Sequence, residues 1–158
     1  GDRIMWHNLY YSLGYVWNTF GYANWPGHEP SDTFSLLKAL SVNPNVVLYS
    51  AEYENILKYE TFQFIKQHPL FVLHTVFTKL GIVLMYILVF ANVGLVLALY
   101  YSRSLVFNLL FAIGIALNTL WAVAGVPNYQ FLMGLFTFCT LFNIYTIDHA
   151  LKIKYSSR

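Results

Sequence analysis

From Leu80 to Ile147 the sequence carries a single formal charge, that of Arg103. A helix on the surface of a water-soluble domain needs polar residues every three or four positions, and a half-buried strand needs them at every second position. This stretch of Leu, Ile, Val, Phe and Ala has neither pattern. Since about 20 apolar residues cross the hydrocarbon core of a bilayer as a helix, the second half of the chain is predicted to be integral to a membrane.

The composition supports this class. Hydrophobic residues make up 58% of the chain and charged residues 10%, whereas charged residues are roughly 25% of an ordinary soluble domain. The net charge is +2 and no cluster of Lys and Arg occurs, so nucleic acid is not an expected partner. Cys139 is the one cysteine, and neither disulfide nor zinc-ligand spacing is present. The residues identify no cofactor.

Polar residues divide the membrane half into three predicted transmembrane helices, over residues 81–101, 105–124 and 129–147. The first two are separated by residues 102–104, and the last two by a turn at 125–128 that contains Gly and Pro. The apolar runs are continuous and do not alternate, which favours helices over the strands of a membrane barrel.

Positive charge predicts the orientation. Arg103 follows the first predicted span, and Lys152, Lys154 and Arg158 form a short basic tail after the third. Three spans place both regions on one side, which the positive-inside rule makes cytoplasmic. Residues 1–80 are then expected on the periplasmic or outer side.

Residues 69–80 are predicted to form an amphipathic helix at the bilayer surface, beginning at Pro69. His74 and Lys79 lie on its polar face and are interpreted as solvated anchors near the headgroups, with a contact to a lipid phosphate as the alternative. A second arrangement stays open, in which one long tilted helix runs from 70 to 101.

Residues 1–68 are predicted to be an aromatic-rich extracytoplasmic cap, mostly helical and rich in loops. A short helix is expected over 31–41, with Ser31 or Asp32 as its N-cap. Another is expected to begin after Ser50, also an N-cap residue, and to end before the proline that opens the interfacial helix. The fold class is therefore an all-α membrane protein in which three spans, within residues 81–158, follow the cap and the interfacial helix.

Along the second cap helix, Tyr53 and Leu57 are placed on an apolar side. Glu54, Lys58 and Lys66 are placed on another, polar side. The apolar content of the cap is modest for a core of its own, so the cap is expected to pack on the membrane or on further protein.

Four amides interrupt the predicted spans: Asn92, Asn108, Asn118 and Asn143. An unpaired amide is costly in hydrocarbon, so these side chains are expected to face other helices and to form hydrogen bonds there. The alternative is a polar track for a substrate.

Residues 6–32 combine Trp and Tyr with Gly, Asn and His. Trp and Tyr rings suit the apolar face of a pyranose, and they equally suit the membrane interface without binding any ligand. His7 is a candidate ligand contact, although a lone histidine is more often structural. Asp32 is a second candidate, but helix capping explains its presence equally well.

Three segments together resemble the C-terminal part of bacterial GT-C-type membrane glycosyltransferases. They are WHNLYYSLGYVWNTFGY at 6–22, SAEYENILKYETFQFIKQHPLFVLHTVFTKLG at 50–81, and GVPNYQFLMGLFTF at 125–138. In that family a helix similar to the middle segment leads from an extracytoplasmic region back into the bilayer. A Pro-Xaa-Tyr element such as the one at 127–129 opens a late span.

The resemblance implies transfer of a sugar from a polyprenyl-phosphate carrier to an extracytoplasmic acceptor, in a bacterial inner membrane. The family's catalytic acid lies in a first outside loop that has no counterpart here, so no catalytic residue is assigned and the main acid is expected outside this chain. The candidate substrate contacts are His7, Asp32 and Tyr129. A divalent metal is implied only by the resemblance. The expected partners are the bilayer, the lipid-linked sugar, and the N-terminal part of the same protein or other membrane subunits.

A different class of function stays open. The chain is equally compatible with a non-enzymatic membrane subunit or scaffold whose aromatic cap docks a partner.

Overall fold

The computed structural model describes residues 4–17, 19, 31–101, 105–127 and 129–156. Helix accounts for 86% of these residues and they contain no strand, which confirms the all-α prediction. The helices, in chain order, are α1 (Met5–Ser12), α2 (Ser31–Val42), α3 (Ala51–Gln67), α4 (Pro69–Tyr101), α5 (Leu105–Ala124) and α6 (Tyr129–Ser156).

The chain divides into two compact units. Unit 1 comprises Gly1–Thr78 and Ala124–Val126, and unit 2 comprises Lys79–Val123 and Pro127–Arg158. Helix α4 begins in unit 1 and continues into unit 2.

In unit 1, helices α1, α2 and α3 share one core. Its buried side chains are Tyr10, Ala39, Val46, Tyr53 and Leu57. The apolar residues of α3 recur at helical spacing, so one face of this helix enters the core. Each fully buried large side chain contributes about 1.5–3 kcal/mol relative to an exposed one.

The two helices predicted in the cap are confirmed. Helix α3 begins after Ser50, whose hydroxyl accepts a 3.1 Å hydrogen bond from the Tyr53 N–H. A turn precedes it, in which the Asn45 N–H donates to Asn43 Oδ1 over 3.0 Å. Helix α1 was not predicted, because eight residues of mixed aromatic and polar character show no clear periodicity.

The predicted boundaries in the second half agree with the structure at 101, at 105–124 and at 129. Helix α6 runs on to Ser156, past the predicted end at 147.

The predicted interfacial helix is not a separate element. Between 80 and 81 there is no break, so the alternative of one long helix is the arrangement that forms. No proline interrupts the backbone there, and Gly81 has open space around it. Arg103 lies outside the described residues.

In unit 2, one amide joins two helices. Asn143 on α6 accepts a 2.8 Å hydrogen bond from the Gly94 N–H on α4, and its Nδ2 donates to the Phe90 carbonyl oxygen. Asn118 instead donates to the Gly114 carbonyl of its own helix, over 2.7 Å. The expectation of interhelical bonds therefore holds for Asn143. Asn118 faces Gly134 of α6 but donates within its own helix, and Asn92 accepts from the Val93 N–H of its own helix, so the predicted interhelical bond is wrong for these two amides.

Within the described part of the chain, two helices are long and apolar enough to cross a membrane: Pro69–Tyr101 and Val106–Ala124. Only 22% and 6% of the residues in their most apolar windows are buried. Core helices of a soluble protein would be largely covered, so this exposure favours membrane association.

Candidate functional site

The N-terminus of α1 is held by a carboxylate from α3. The Trp6 N–H donates to Glu54 Oε2 over 2.8 Å, and the His7 N–H donates to Glu54 Oε1 over 3.2 Å. The first N–H groups of a helix lack partners within the helix, and its N-terminus carries a partial positive charge. Glu54 therefore stabilises α1 by hydrogen bonding and by charge.

Next to this contact lies a buried aromatic pair. His7 is 3% exposed and Tyr53 is fully buried, and His7 Nδ1 shares a 2.7 Å hydrogen bond with the Tyr53 hydroxyl. The histidine tautomer decides which of the two donates. We call Trp6, His7, Tyr53 and Glu54 the α1 anchor.

Tyr49 completes this region with an uncommon backbone conformation. Its φ is +61°, which lies in the left-handed region that costs energy for a residue with a bulky side chain. Its ring packs edge-on against His7 and Tyr53, with centroids 5.4 Å and 6.0 Å away. These contacts offset the strain and close the aromatic side of the anchor.

The indole of Trp6 forms the outer edge of the anchor. The Lys58 ammonium lies 5.6 Å from the ring centroid, and the Phe62 ring lies 5.4 Å away. Lys58 thus gains a cation–π contact.

Within the α1 anchor, the side chains of Glu54 and His7 are both engaged in structural hydrogen bonds. Glu54 is 6% exposed and both of its oxygens accept backbone N–H groups. The placement of Glu54 on a polar face was wrong, because the α1 N-terminus draws the carboxylate into the interior. His7 is buried and bonded, so its ring orients neighbours and does not meet solvent.

A second buried polar contact occurs in unit 2. Lys79 is 2% exposed and its Nζ donates a 3.1 Å hydrogen bond to the Val123 carbonyl oxygen. That carbonyl lies in the last turn of α5, where a cation is favoured by the helix dipole. The interpretation of Lys79 as a solvated anchor was wrong, whereas His74 is exposed.

The candidate substrate contacts fall in different places. His7 lies inside the α1 anchor of unit 1. Asp32 is in the first turn of α2, and its side chain is outside the described part of the structure. Tyr129 begins α6 in unit 2, is 66% exposed, and packs edge-on against Tyr86 with centroids 6.0 Å apart.

The resemblance implies a divalent metal, which would need several His, Cys, Asp or Glu side chains close together. Across the described ranges, no three or more His, Cys, Asp or Glu side chains lie close enough together to hold a metal ion. Within those ranges, the metal implied by the resemblance has no matching set of ligands.

Comparison of the chain with protein families, with curated proteins and with solved structures found no match.

The sequence offered one signal that Glu54 could be buried. Glu54 directly follows Tyr53 within the apolar stripe of α3, so a carboxylate stands at the border of a buried face. A buried carboxylate needs donors, and the N-terminus of another helix supplies them. Nothing in the local sequence identifies that helix, because the partner amides are 47 and 48 positions away.

Proposed function

We propose that this chain is the C-terminal portion of an integral membrane glycosyltransferase. The enzyme moves a sugar from a polyprenyl-phosphate carrier to an acceptor on the outer face of a bacterial inner membrane. Three helices span the bilayer, unit 1 lies on the periplasmic side, and the main catalytic acid lies outside this chain.

The observation that carries the proposal is the α1 anchor. Trp6 and His7 belong to the first segment of the resemblance, and Tyr53 and Glu54 belong to the second. Through these four residues the two segments are hydrogen-bonded to each other, over 2.7–3.2 Å. Two segments of the resemblance therefore belong to one folded unit, which supports the proposal.

The proposed role of this portion is to place unit 1, which we call the head, beside the lipid-linked sugar. The anchor holds α1 on α3, and α4 continues from unit 1 into the membrane region. The expected partners are the bilayer, the carrier lipid, and the N-terminal part of the same protein or other membrane subunits.

A non-enzymatic subunit is the second candidate, and one observation favours it. Among the described residues of unit 1, the buried histidine and the buried carboxylate, His7 and Glu54, are both hydrogen-bonded within that unit. A scaffold that docks a partner requires no more than this.

The two candidates are separated by a transfer assay. The full-length protein is purified, reconstituted into liposomes, and supplied with polyprenyl-phosphate carriers that bear different radiolabelled sugars. Release of label into a water-soluble acceptor is the expected result. Absence of transfer from every carrier, with the protein folded by circular dichroism, overturns the enzyme and leaves the scaffold.

Two substitutions refine the result. Asp32→Ala and Tyr129→Ala are each expected to reduce transfer by more than any loss of folded protein accounts for, as judged from their melting temperatures. Asp148→Asn is the matched control, because Asp148 is exposed and pairs with Lys152 over 2.6 Å. Transfer unchanged in both test variants removes these two residues as substrate contacts.

A further inference from the structure

Helix α3 has a second face besides the one in the core. Its residues recur three and four positions apart and line an open groove together with the end of α2. The lining residues are Val42, Glu52, Asn55, Ile56, Tyr59 and Glu60. The groove has a volume of about 540 Å³, within the range of roughly 300–1,000 Å³ that small-molecule sites occupy.

Both carboxylates of the groove are held in place. Glu52 Oε1 accepts a 2.7 Å hydrogen bond from Asn43 Nδ2, and Glu60 Oε2 pairs with Lys38 Nζ at 3.0 Å. Each contact uses one oxygen. Since a carboxylate has two oxygens with several lone pairs, each can accept a further hydrogen bond from a ligand hydroxyl.

Between the carboxylates lies an aromatic and apolar surface. Tyr59 is 62% exposed and lines the groove together with Ile56 and Val42. Asn55 is exposed beside them and adds an amide with both donors and an acceptor. A flat apolar surface framed by hydrogen-bonding groups matches a pyranose, which has an apolar ring face and a rim of hydroxyls.

We propose that this groove binds a saccharide, with the sugar ring against Tyr59 and its hydroxyls bonded to Glu52, Asn55 and Glu60. The inference deepens the proposed function and rests on it in one respect, since the groove would hold the acceptor of the transfer. A basic peptide is the less suitable ligand, because Lys38 already lies against Glu60.

Binding is tested by saturation-transfer-difference NMR on the full chain in a sugar-free zwitterionic detergent. The probes are the methyl glycosides of glucose, galactose, mannose and N-acetylglucosamine. Saturation is expected to reach the ring protons of at least one probe. Tyr59→Ala is expected to weaken that binding about fivefold or more, which corresponds to about 1 kcal/mol, and Asn55→Ala to weaken it as well.

Two variants control this test. Tyr59→Phe keeps the ring and is expected to bind, and Tyr155→Ala removes a tyrosine that is similarly exposed, at 68%, but distant in sequence. Unchanged melting temperatures show that the variants are folded. The proposal is overturned by saturation that is equal in Tyr59→Ala and Tyr155→Ala, by no saturation of any glycoside, or by binding of a lysine-rich peptide in their place.

The binding assay and the transfer assay can each give a negative result independently of the other. Transfer in liposomes with no binding in the groove leaves the proposed function intact and removes the groove. Binding in the groove without transfer leaves a saccharide-binding head and removes the enzyme.

Discussion

The carboxylate of Glu54 accepts a 2.8 Å hydrogen bond from the backbone N–H of Trp6, which lies 48 positions earlier in the chain. Its other oxygen serves the next N–H of the same helix. One side chain of α3 thereby fixes where α1 begins.

Glu54→Ala is expected to destabilise the protein by about 2–3 kcal/mol, because two N–H groups at a buried helix end lose their acceptor. Glu52→Ala is the matched control, since Glu52 is exposed on the same turn of α3, and it is expected to cost less than about 1 kcal/mol. Chemical unfolding in detergent, followed by circular dichroism, measures both. Equal losses would contradict the assigned role of Glu54.

Two glycines of α4 are expected to respond to alanine with opposite signs. A Cβ on Gly94 would lie 2.5 Å from Asn143 Oδ1 and 2.8 Å from Phe142 Cδ1, closer than atoms can approach. Gly94→Ala is therefore expected to destabilise by about 1–3 kcal/mol. Gly81 has nothing within 4 Å, so Gly81→Ala is expected to stabilise by about 0.5–1 kcal/mol through helix propensity. Melting temperatures that shift in the same direction for both variants would contradict the close packing of Gly94 against α6.

Lys79 is expected to contribute to stability, because its buried Nζ donates a hydrogen bond to the end of α5. Lys79→Met keeps most of the side-chain volume but removes the donor to the Val123 carbonyl, with an expected cost of about 1–2 kcal/mol. The control is Lys66→Met in the last turn of α3, where the side chain is exposed, and its effect is expected to stay within about 0.5 kcal/mol. If both variants unfold at the same denaturant concentration, the buried hydrogen bond of Lys79 contributes nothing to the free energy of unfolding.

Whether the chain crosses the membrane an odd or an even number of times can be tested by labelling both of its ends. In a Cys139→Ser background, a single cysteine is introduced either by Val47→Cys or by Tyr155→Cys, at positions that are 69% and 68% exposed. Three spans predict that a membrane-impermeant maleimide labels position 47 on intact cells and position 155 only after permeabilisation. Labelling of both from the same side would mean an even number of crossings.

Much of the candidate site was hidden from the sequence. His7 could be selected by its residue type among aromatic neighbours, but its burial and its bond to Tyr53 depend on how α1 packs on α3. The groove of Tyr59 was missed for the same reason, because its carboxylates are positioned by Lys38 and Asn43 from outside α3.

What the sequence determined by itself is the all-helical class and several helix ends, among them both ends of α5 and the starts of α3 and α6. Continuous apolar runs, a serine at an N-cap and breakers at 125–127 act on the backbone nearby, so local pattern is enough. Only the tertiary structure decided which polar side chains are buried. Glu54 and Lys79 look like surface charges in their own helices, and each enters the interior because the end of a different helix offers it a hydrogen-bonding partner.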